Sequence, residues 1–205
     1  MKKIPVVATA LVLVAVAAMI ALGLWQLQRK GEKEAALAHY AANVALPPIA
    51  FPRIPVDDSL LFRRASFLCL EPTNWQREGG RNAKGGVGWR QIAQCRVGAE
   101  GPGVTIQVGL SNDPNTEPAW QGGEASGYIT HAPDHQSLLS GWFGARPKTL
   151  MLVADPPLGG LDANPRADIS AVPNNHLAYA VQWFLFAAIA LGIYAIALRR
   201  RLQAG

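Results

Sequence analysis

The sequence predicts an α+β membrane protein in which two transmembrane helices flank a small, antiparallel, β-rich extracytoplasmic domain. Two apolar runs, from Ile4 to about Leu24 and from His176 to Leu198, each have about the 20 residues that a helix needs to cross a bilayer. Basic residues lie at the outer end of each run. Between the runs, short apolar segments alternate with Gly, Pro, Asn and Asp, which is typical of strands joined by turns.

The first apolar run is predicted to be an uncleaved transmembrane anchor covering residues 1–25. A cleaved signal peptide is the alternative, but the apolar core is longer than those of signal peptides. The run ends in the bulky, polar segment Trp25–Lys30, where a cleavage site would require small residues. Small residues do occur earlier, around Val14 to Ala18.

Lysine and arginine near the span ends predict the orientation. Lys2 and Lys3 precede the first span, and the tail 199–205 that follows the second span, 176–198, begins with three arginines. The positive-inside rule then places both termini in the cytoplasm and residues 26–175 outside it. The competing signal comes from the basic residues after the first span, namely Arg29, Lys30 and Lys33.

The net charge of +5 is concentrated at the tails and just after the first span. This distribution indicates orientation and contact with lipid headgroups rather than nucleic-acid binding. The chain has no nucleic-acid motif and no Gly-x-Ser-x-Gly nucleophile elbow. We therefore expect a protein that is not an enzyme and has no nucleic-acid partner.

The segment 26–175 is long enough for one modest hydrophobic core. Residues 31–41 are predicted to continue the first helix, which ends before a proline-rich stretch that begins at Pro47. The glycine-rich segment Gly79–Gly88 lacks the Lys-Ser/Thr of a phosphate loop and is a predicted hairpin turn. Strands are predicted over Leu60–Leu70, Val87–Val97, Val104–Leu110, Ala125–Thr130 and Thr149–Ala154.

The two cysteines, Cys69 and Cys95, both lie in predicted strands. One interpretation is two separate buried thiols. The other is a disulfide, which a non-cytoplasmic compartment permits if the two strands are neighbours. A copper or redox role is a further alternative.

Other polar residues of the middle segment carry weaker signals. His131 and His135 have the i, i+4 spacing of metal ligands on a helix, but Pro133 favours a solvated loop. Three carboxylates have no evident partner in the sequence, namely Asp57, Asp58 and Asp155.

A histidine, His176, stands at the mouth of the second span, in the segment Pro173–Phe184. Ionisable residues near lipid are costly and are candidates for function. Histidine ligates metals, including haem iron. The alternative is an interfacial anchor, in which Asn, His, Tyr and Trp mark the boundary with water.

Motifs at both span boundaries resemble a known family. Leu22–Arg29 resembles the Gly-x-Trp-Gln-x-x-Arg signature of the Surfeit locus one family, and Asn175–Phe184 resembles its second signature, Asn-x-His-x-x-Tyr-Ala-x-x-Trp-Phe. Phe62–Arg64 is similar to the first strand of that family, and Lys148–Val153 to the strand before its final loop. Val108–Pro114 replaces an Arg-Gly-Trp-Val-Pro-like stretch, so a strand is expected there without that Arg and Trp.

The resemblance implies a divergent bacterial assembly factor for haem–copper cytochrome c oxidase, in the inner membrane with a periplasmic main domain. Its partners would be the catalytic subunit of the oxidase, the lipid bilayer and haem a synthase. Bacterial members of the family bind haem a, which the resemblance carries to His176 as the iron ligand.

On a helix, His176, Tyr179, Ala180 and Trp183 would share one face, and small Ala180 would leave room for a flat macrocycle. Trp25 and Gln26 lie at the same membrane depth on the first span, and Gln26 would orient the imidazole. Gly23 would allow the helices to approach closely. The residues proposed to cap the second helix are Asn174 or Asn175.

Two alternatives to a haem carrier stay open. One is a cofactor-free membrane chaperone that stabilises a nascent oxidase subunit by helix packing. The other is a membrane-anchored redox or copper module that uses Cys69 and Cys95.

Overall fold

The computed structural model describes residues 5–52, 57–99, 103–134 and 148–203. The chain divides into two compact units. The helical unit comprises residues 1–37 and 172–205, and the sheet unit comprises residues 38–171.

Two long helices contain the predicted spans. Helix α1 runs from Val6 to Ala45 and helix α2 from His176 to Gln203, and both are long and apolar enough to cross a membrane. The predicted helical continuation over 31–41 is confirmed. Helix α1 ends just before Pro47, because a residue that precedes proline is disfavoured in helical geometry.

In the helical unit, α1 and α2 pack in antiparallel directions. The hydroxyls of Thr9 and Tyr194 share a hydrogen bond that joins the start of α1 to the distal part of α2. Further along α1, Gln26 Oε1 lies 2.8 Å from Nδ1 of His176, the first residue of α2. Contacts that advance along α1 therefore move backwards along α2.

Small residues at seven-residue spacing form the seam between these helices. Val16 and Gly23 are buried on α1, and Ala180 and Ala187 are buried on α2. Thr9 on α1 lies seven residues before Val16, and its hydrogen-bond partner Tyr194 on α2 lies seven residues after Ala187. A seven-residue repeat is typical of left-handed helix pairs, and small residues permit close approach where lipid supplies no hydrophobic driving force.

The last turns of α1 belong to the sheet unit. Asn43 is buried there, and its Nδ2 donates to the carbonyl oxygens of Ser59 at 2.6 Å and Leu61 at 2.9 Å. These two bonds attach the end of the helix to the segment that precedes the sheet.

The strands of the sheet unit are β1 Ile49–Ala50, β2 Arg64–Cys69, β3 Glu71–Arg81, β4 Val87–Arg96, β5 Val104–Ser111, β6 Gly123–His131 and β7 Leu150–Ala154. In the described part of the unit they form one seven-stranded sheet in the order β1-β2-β6-β7-β5-β4-β3. Two neighbouring pairs, β1/β2 and β5/β7, are parallel, and the other four are antiparallel. The predicted antiparallel β-rich domain is thus confirmed for most of the sheet, which is mixed overall. Short 3₁₀ turns lie at Asp58–Leu60 and Ile169–Ala171.

All five predicted strands are present, but β1 and β3 were not predicted. Strand β3 lies at the edge of the sheet, most of its side chains face solvent at least in part, and it contains Pro72. Such an edge strand lacks the alternation of apolar and polar residues that identifies strands in a sequence. The predicted hairpin turn is confirmed, since Asn82 N–H donates to the Gly86 carbonyl at 2.8 Å between β3 and β4.

The sheet curls until its two ends meet at one corner. Only Leu70 separates β2 from β3, although these strands stand at the second position and at the far edge of the sheet. At this corner the Leu70 N–H donates to the Arg96 carbonyl at 2.8 Å. Cys69 and Cys95 form a disulfide there, with Cα atoms 5.3 Å apart and exposed fractions of 2% and 0%. The interpretation as two separate thiols is therefore wrong.

The core of the sheet unit lies on the central strands. All five residues of β7 are buried, as are nearly all of β5. Strands covered on both faces read as continuous apolar runs, which is why these two were readily predicted. The largest fully buried apolar side chains are Ile106, Leu110, Ile129, Met151 and Leu152.

Gly23→Ala is expected to destabilise the helical unit by about 1–3 kcal/mol, the usual cost of overpacking a close contact. A Cβ at this position would lie 2.5 Å from Cε1 of the Phe184 ring. Thermal unfolding of the full-length protein in detergent measures the loss.

Gly192→Ala on α2 is the matched control, because a Cβ there meets nothing within 4 Å. It should be neutral or slightly stabilising, since alanine is the better helix former. Combining Gly23→Ala with Phe184→Leu should cost less than the sum of the single changes. Equal melting temperatures for the two alanine variants would contradict the close packing of the helices at Gly23.

Replacing Cys69 and Cys95 by alanine removes a cross-link between residues 26 positions apart. We expect the free energy of unfolding of the sheet unit to fall by about 3 kcal/mol, because the unfolded chain has more conformational entropy once the cross-link is removed. Urea unfolding of the full-length protein, followed by near-UV circular dichroism, measures this. The wild type in excess reductant should approach the variant, and coincident transitions for the oxidised wild type and the variant would contradict the prediction.

Candidate functional site

His176 is the first residue of α2 and is partly buried. Its Nδ1 lies 2.8 Å from Oε1 of Gln26 on α1. An amide oxygen only accepts hydrogen bonds, so the Nδ1–H of His176 donates and the lone pair of Nε2 is left free. An imidazole held through one nitrogen, with the other nitrogen free, has the arrangement of a metal-binding histidine.

The helix seam brings these two side chains together. Gln26 follows the buried seam residue Gly23 by three positions, and His176 precedes the buried seam residue Ala180 by four. Residues three or four apart share a helix face, so both polar side chains continue the seam by one turn. The predicted pairing of Gln26 with the imidazole is present in the structure.

The asparagines before α2 do not behave as predicted. The Asn175 carbonyl accepts the N–H of Tyr179 at 3.2 Å, which is the first helical hydrogen bond. Within the described ranges, neither Asn174 nor Asn175 makes a side-chain cap. Asn174 Oδ1 is buried and has no hydrogen-bond partner among the described residues, so an acceptor two residues from His176 is unsatisfied.

The predicted aromatic face of α2 is only partly open. Tyr179 is 52% exposed, and Trp183 is partly buried, with its ring edge-on to Phe186 at a centroid distance of 6.2 Å. Ala180 is 0% exposed because it belongs to the helix seam. The room expected beside Ala180 is therefore filled, and a flat ligand near His176 would contact Tyr179 and Trp183 instead.

Trp25 is not brought together with His176. The guanidinium carbon of Arg29 lies 5.6 Å from the centre of its ring, and the side chain is 47% exposed. Trp25 stands two positions after Gly23, which turns it by about 200° from the seam. That Trp25 lines a haem site stays a prediction, and in this structure the residue has the features of an interfacial aromatic with a cation–π partner.

The fold gives partners to the polar residues of the middle segment that seemed isolated. His131 Nε2 lies 2.7 Å from Asp58 Oδ1, and Arg64 Nη1 lies 3.4 Å from Asp155 Oδ2. Hydrogen bonds from Ser59 hold the pKa of Asp57 below its ordinary value. The interpretation of these carboxylates as unpartnered is therefore wrong.

Metal binding outside the helical unit has no support in the described residues. His135, the proposed companion of His131, lies outside them. No group of three or more His, Cys, Asp or Glu side chains that could hold a metal occurs in the part of the chain that the structure describes. Cys69 and Cys95 are oxidised and buried, so neither provides the thiolate that copper binding requires.

Comparison with known proteins agrees with the motifs at the span boundaries. The model of the SURF1 family, the Surfeit locus one family named above, matches residues 13–77 and 75–188. These stretches contain Gly23–Arg29 and Asn175–Phe184. No curated protein matches the chain.

The architecture is that of a membrane protein, with two long apolar helices that flank a mixed sheet. Members of the matched family are assembly factors rather than enzymes. The chain therefore belongs to the SURF1 family, which is associated with the assembly of cytochrome c oxidase.

Proposed function

We propose that this protein binds haem a through His176 and aids its insertion into the catalytic subunit of a haem–copper cytochrome c oxidase. The observation that supports the proposal most directly is the 2.8 Å hydrogen bond between His176 Nδ1 and Gln26 Oε1. It restrains the ring and keeps the proton on Nδ1. The lone pair of Nε2 is then available to iron.

The residues around His176 fit a haem. A neutral imidazole is a common axial ligand of haem iron, and a hydrogen bond donated by its other nitrogen raises its basicity. Tyr179 and Trp183 offer aromatic surface on the same side of α2, and Asn174 Oδ1 is an unsatisfied acceptor close by. When bound, the group would supply the redox-active iron that the oxidase requires. This chain would hold the imidazole through Gln26, and the exposed Tyr179 would leave the haem accessible from lipid.

The proposed location is the bacterial inner membrane, with both termini cytoplasmic and the sheet unit periplasmic. Antiparallel packing of α1 and α2 supports this topology, because two antiparallel spans place both chain ends on one side. The Cys69–Cys95 disulfide supports an oxidising compartment for the sheet unit. Haem a synthase, as the source of haem a, is a second proposed partner.

A cofactor-free membrane chaperone is the second candidate function. It is favoured by the burial of Ala180, since the space predicted for a macrocycle is closed by helix packing. In this alternative, the His176–Gln26 hydrogen bond would only join the two helices. The two candidates differ in whether His176 determines haem content.

His176→Ala should sharply lower the haem a content of the full-length protein purified from haem-a-producing cells, because the iron ligand is lost. The variant should still insert, since both apolar spans are intact. Oxidase from the same cells should contain less haem. Tyr179→Ala and Trp183→Ala should act in the same direction but more weakly, through lost stacking. Absorbance spectra and oxidase activity at matched expression measure these effects.

Two further variants serve as controls for this prediction. Gln26→Leu keeps the ligand but removes the acceptor for Nδ1–H, and we expect haem affinity to fall by about 10-fold. His131→Ala removes a histidine of the sheet unit and should leave haem content unchanged. Normal haem content in the His176 variant would reject the ligand assignment and favour the cofactor-free chaperone.

Alkaline phosphatase fused within the sheet unit at the exposed residue Asn115 should be active. The enzyme folds only in an oxidising compartment, so its activity reports the side of the membrane. A fusion at the C-terminal end, after the arginines in the last turns of α2, is the matched control and should be inactive. An inactive Asn115 fusion at normal expression would reverse the proposed topology.

A further inference from the structure

The sheet unit contains a cavity of about 440 Å³ that carries two arginines, Arg64 and Arg166. It lies between the end of α1, the start of β2, strand β6 and the segment that follows Asn164. Its volume falls within the range of ligand pockets, roughly 300–1,000 Å³.

Hydrogen bonds hold the wall that presents Arg166. Asn164 is buried, its Oδ1 accepts from Gln107 Nε2 at 2.7 Å, and its Nδ2 donates to the Ala154 carbonyl at 2.8 Å. The Tyr128 hydroxyl donates to the carbonyl of the next residue, Pro165, at 2.7 Å. The backbone that leads into Arg166 is thus fixed before any ligand arrives, which lowers the entropic cost of binding.

Tyr128 remains a hydrogen-bond donor at physiological pH. Burial, together with the nearby charge of Asp155, raises the pKa of Tyr128 to about 12. Its bond to the wall therefore does not depend on pH in the physiological range.

The positive charge in this cavity is only weakly neutralised. Arg166 is exposed, and no described residue forms an ion pair with it. Arg64 has a 3.4 Å contact with Asp155, and the two side chains are 48% and 58% exposed. An exposed pair of this kind contributes little, so both guanidinium groups can be recruited by another anion.

An aromatic wall adjoins the arginines. Phe62, which lines the cavity, has a φ of +64°, a conformation that is costly for a bulky side chain. Its ring centre lies 5.5 Å from that of Tyr40, and its N–H donates to the Ile129 carbonyl at 2.8 Å. Such strain persists where the surroundings impose it, and it is common at ligand sites.

A second cavity of about 430 Å³ adjoins the first at Tyr128 and Pro165. It is lined by two more arginines, Arg81 and Arg90. The described linings of the two cavities together contain four arginines and one carboxylate, that of Asp155. Glu78 neutralises one of these arginines, since its Oε2 accepts from Arg90 Nη2 at 2.7 Å. We call these two cavities the basic groove. Two adjoining cavities of this volume offer more room than a single small anion would fill.

We propose that the basic groove binds an acidic peptide segment of an oxidase subunit, with Arg64 and Arg166 pairing with its carboxylates. Guanidinium groups match carboxylates in shape as well as charge. The two adjoining cavities favour an extended chain over a free ion. The identity of the partner rests on the proposed function, whereas the class of ligand rests on the arginines and the volume of the groove.

Fluorescence anisotropy of a labelled hexaglutamate peptide with the full-length protein in detergent tests the groove. Arg166→Gln should weaken binding by about threefold, and Arg64→Gln with Arg166→Gln by about tenfold, as expected for exposed charge pairs. Arg77→Gln is the matched control, because Arg77 is exposed on edge strand β3 and lines neither cavity. Asp155→Asn removes the carboxylate that pairs with Arg64 and should tighten binding.

Equal affinity of the wild type and the double variant would overturn the proposal. Comparable binding of hexaglutamine would also overturn it, and so would full displacement by inorganic phosphate at matched charge, which would indicate a small-anion site. Because Asp155→Asn predicts a gain in affinity, a folding defect in the arginine variants cannot produce the whole expected pattern.

In cells, a photoreactive residue at position 167, in the wall of the groove, should crosslink to the catalytic subunit of the oxidase, and the double arginine variant should lose this product. A photoreactive residue at the exposed position 115 should not crosslink to it. If crosslinking and peptide binding are absent while His176→Ala still lowers haem content, the groove proposal fails alone. Normal oxidase assembly without the chain would reject the proposed function itself.

Discussion

The close approach of α1 and α2 at Gly23 is the constraint on which the candidate site depends. Lipid tails supply no net hydrophobic drive for helix association, so the two helices must gain from van der Waals contact and hydrogen bonds. Glycine and alanine at the seam permit that contact, with the Phe184 ring lying over Gly23. Because the seam sets the register of the helices, it also sets the distance from Gln26 to His176. The free Nε2 lone pair is thus a consequence of packing elsewhere on the helices.

The sheet unit depends on a different constraint, which is the closure of its curled sheet. Only Leu70 separates β2 from β3, yet these strands stand at the second position and at the far edge of the sheet, so the sheet has to curl and close at that corner. One backbone hydrogen bond and the buried Cys69–Cys95 disulfide join the ends there. A small domain has little core with which to resist opening, and a cross-link that restricts the unfolded chain compensates for this. It also couples the fold of this unit to an oxidising environment.

The two units offer two kinds of recognition. The helical unit presents one oriented imidazole beside the exposed ring of Tyr179 and the partly buried ring of Trp183, which suits a flat, apolar cofactor. The sheet unit presents arginines from a backbone held by Asn164 and Tyr128, which suits carboxylates. A protein that delivers a cofactor to a nascent subunit needs both a place for the cargo and a surface for the recipient. The chemistry of the two units fits this division.

The sequence by itself determined the two spans, the five strands with strong apolar patterns, the hairpin turn and the pairing of Gln26 with His176. These features depend on local periodicity, on turn residues or on motifs that the family shares. Only the tertiary structure decided the two parallel pairs, the disulfide and the Asp58–His131 pair, because each joins residues that lie far apart in the chain. Strand β3 also became evident only there, because its largely exposed side chains give no apolar alternation in the sequence. The tertiary structure also buried Ala180 in the helix seam and left Trp25 outside that seam, since the rotation of a helix about its axis is set by its neighbour and not by its own sequence.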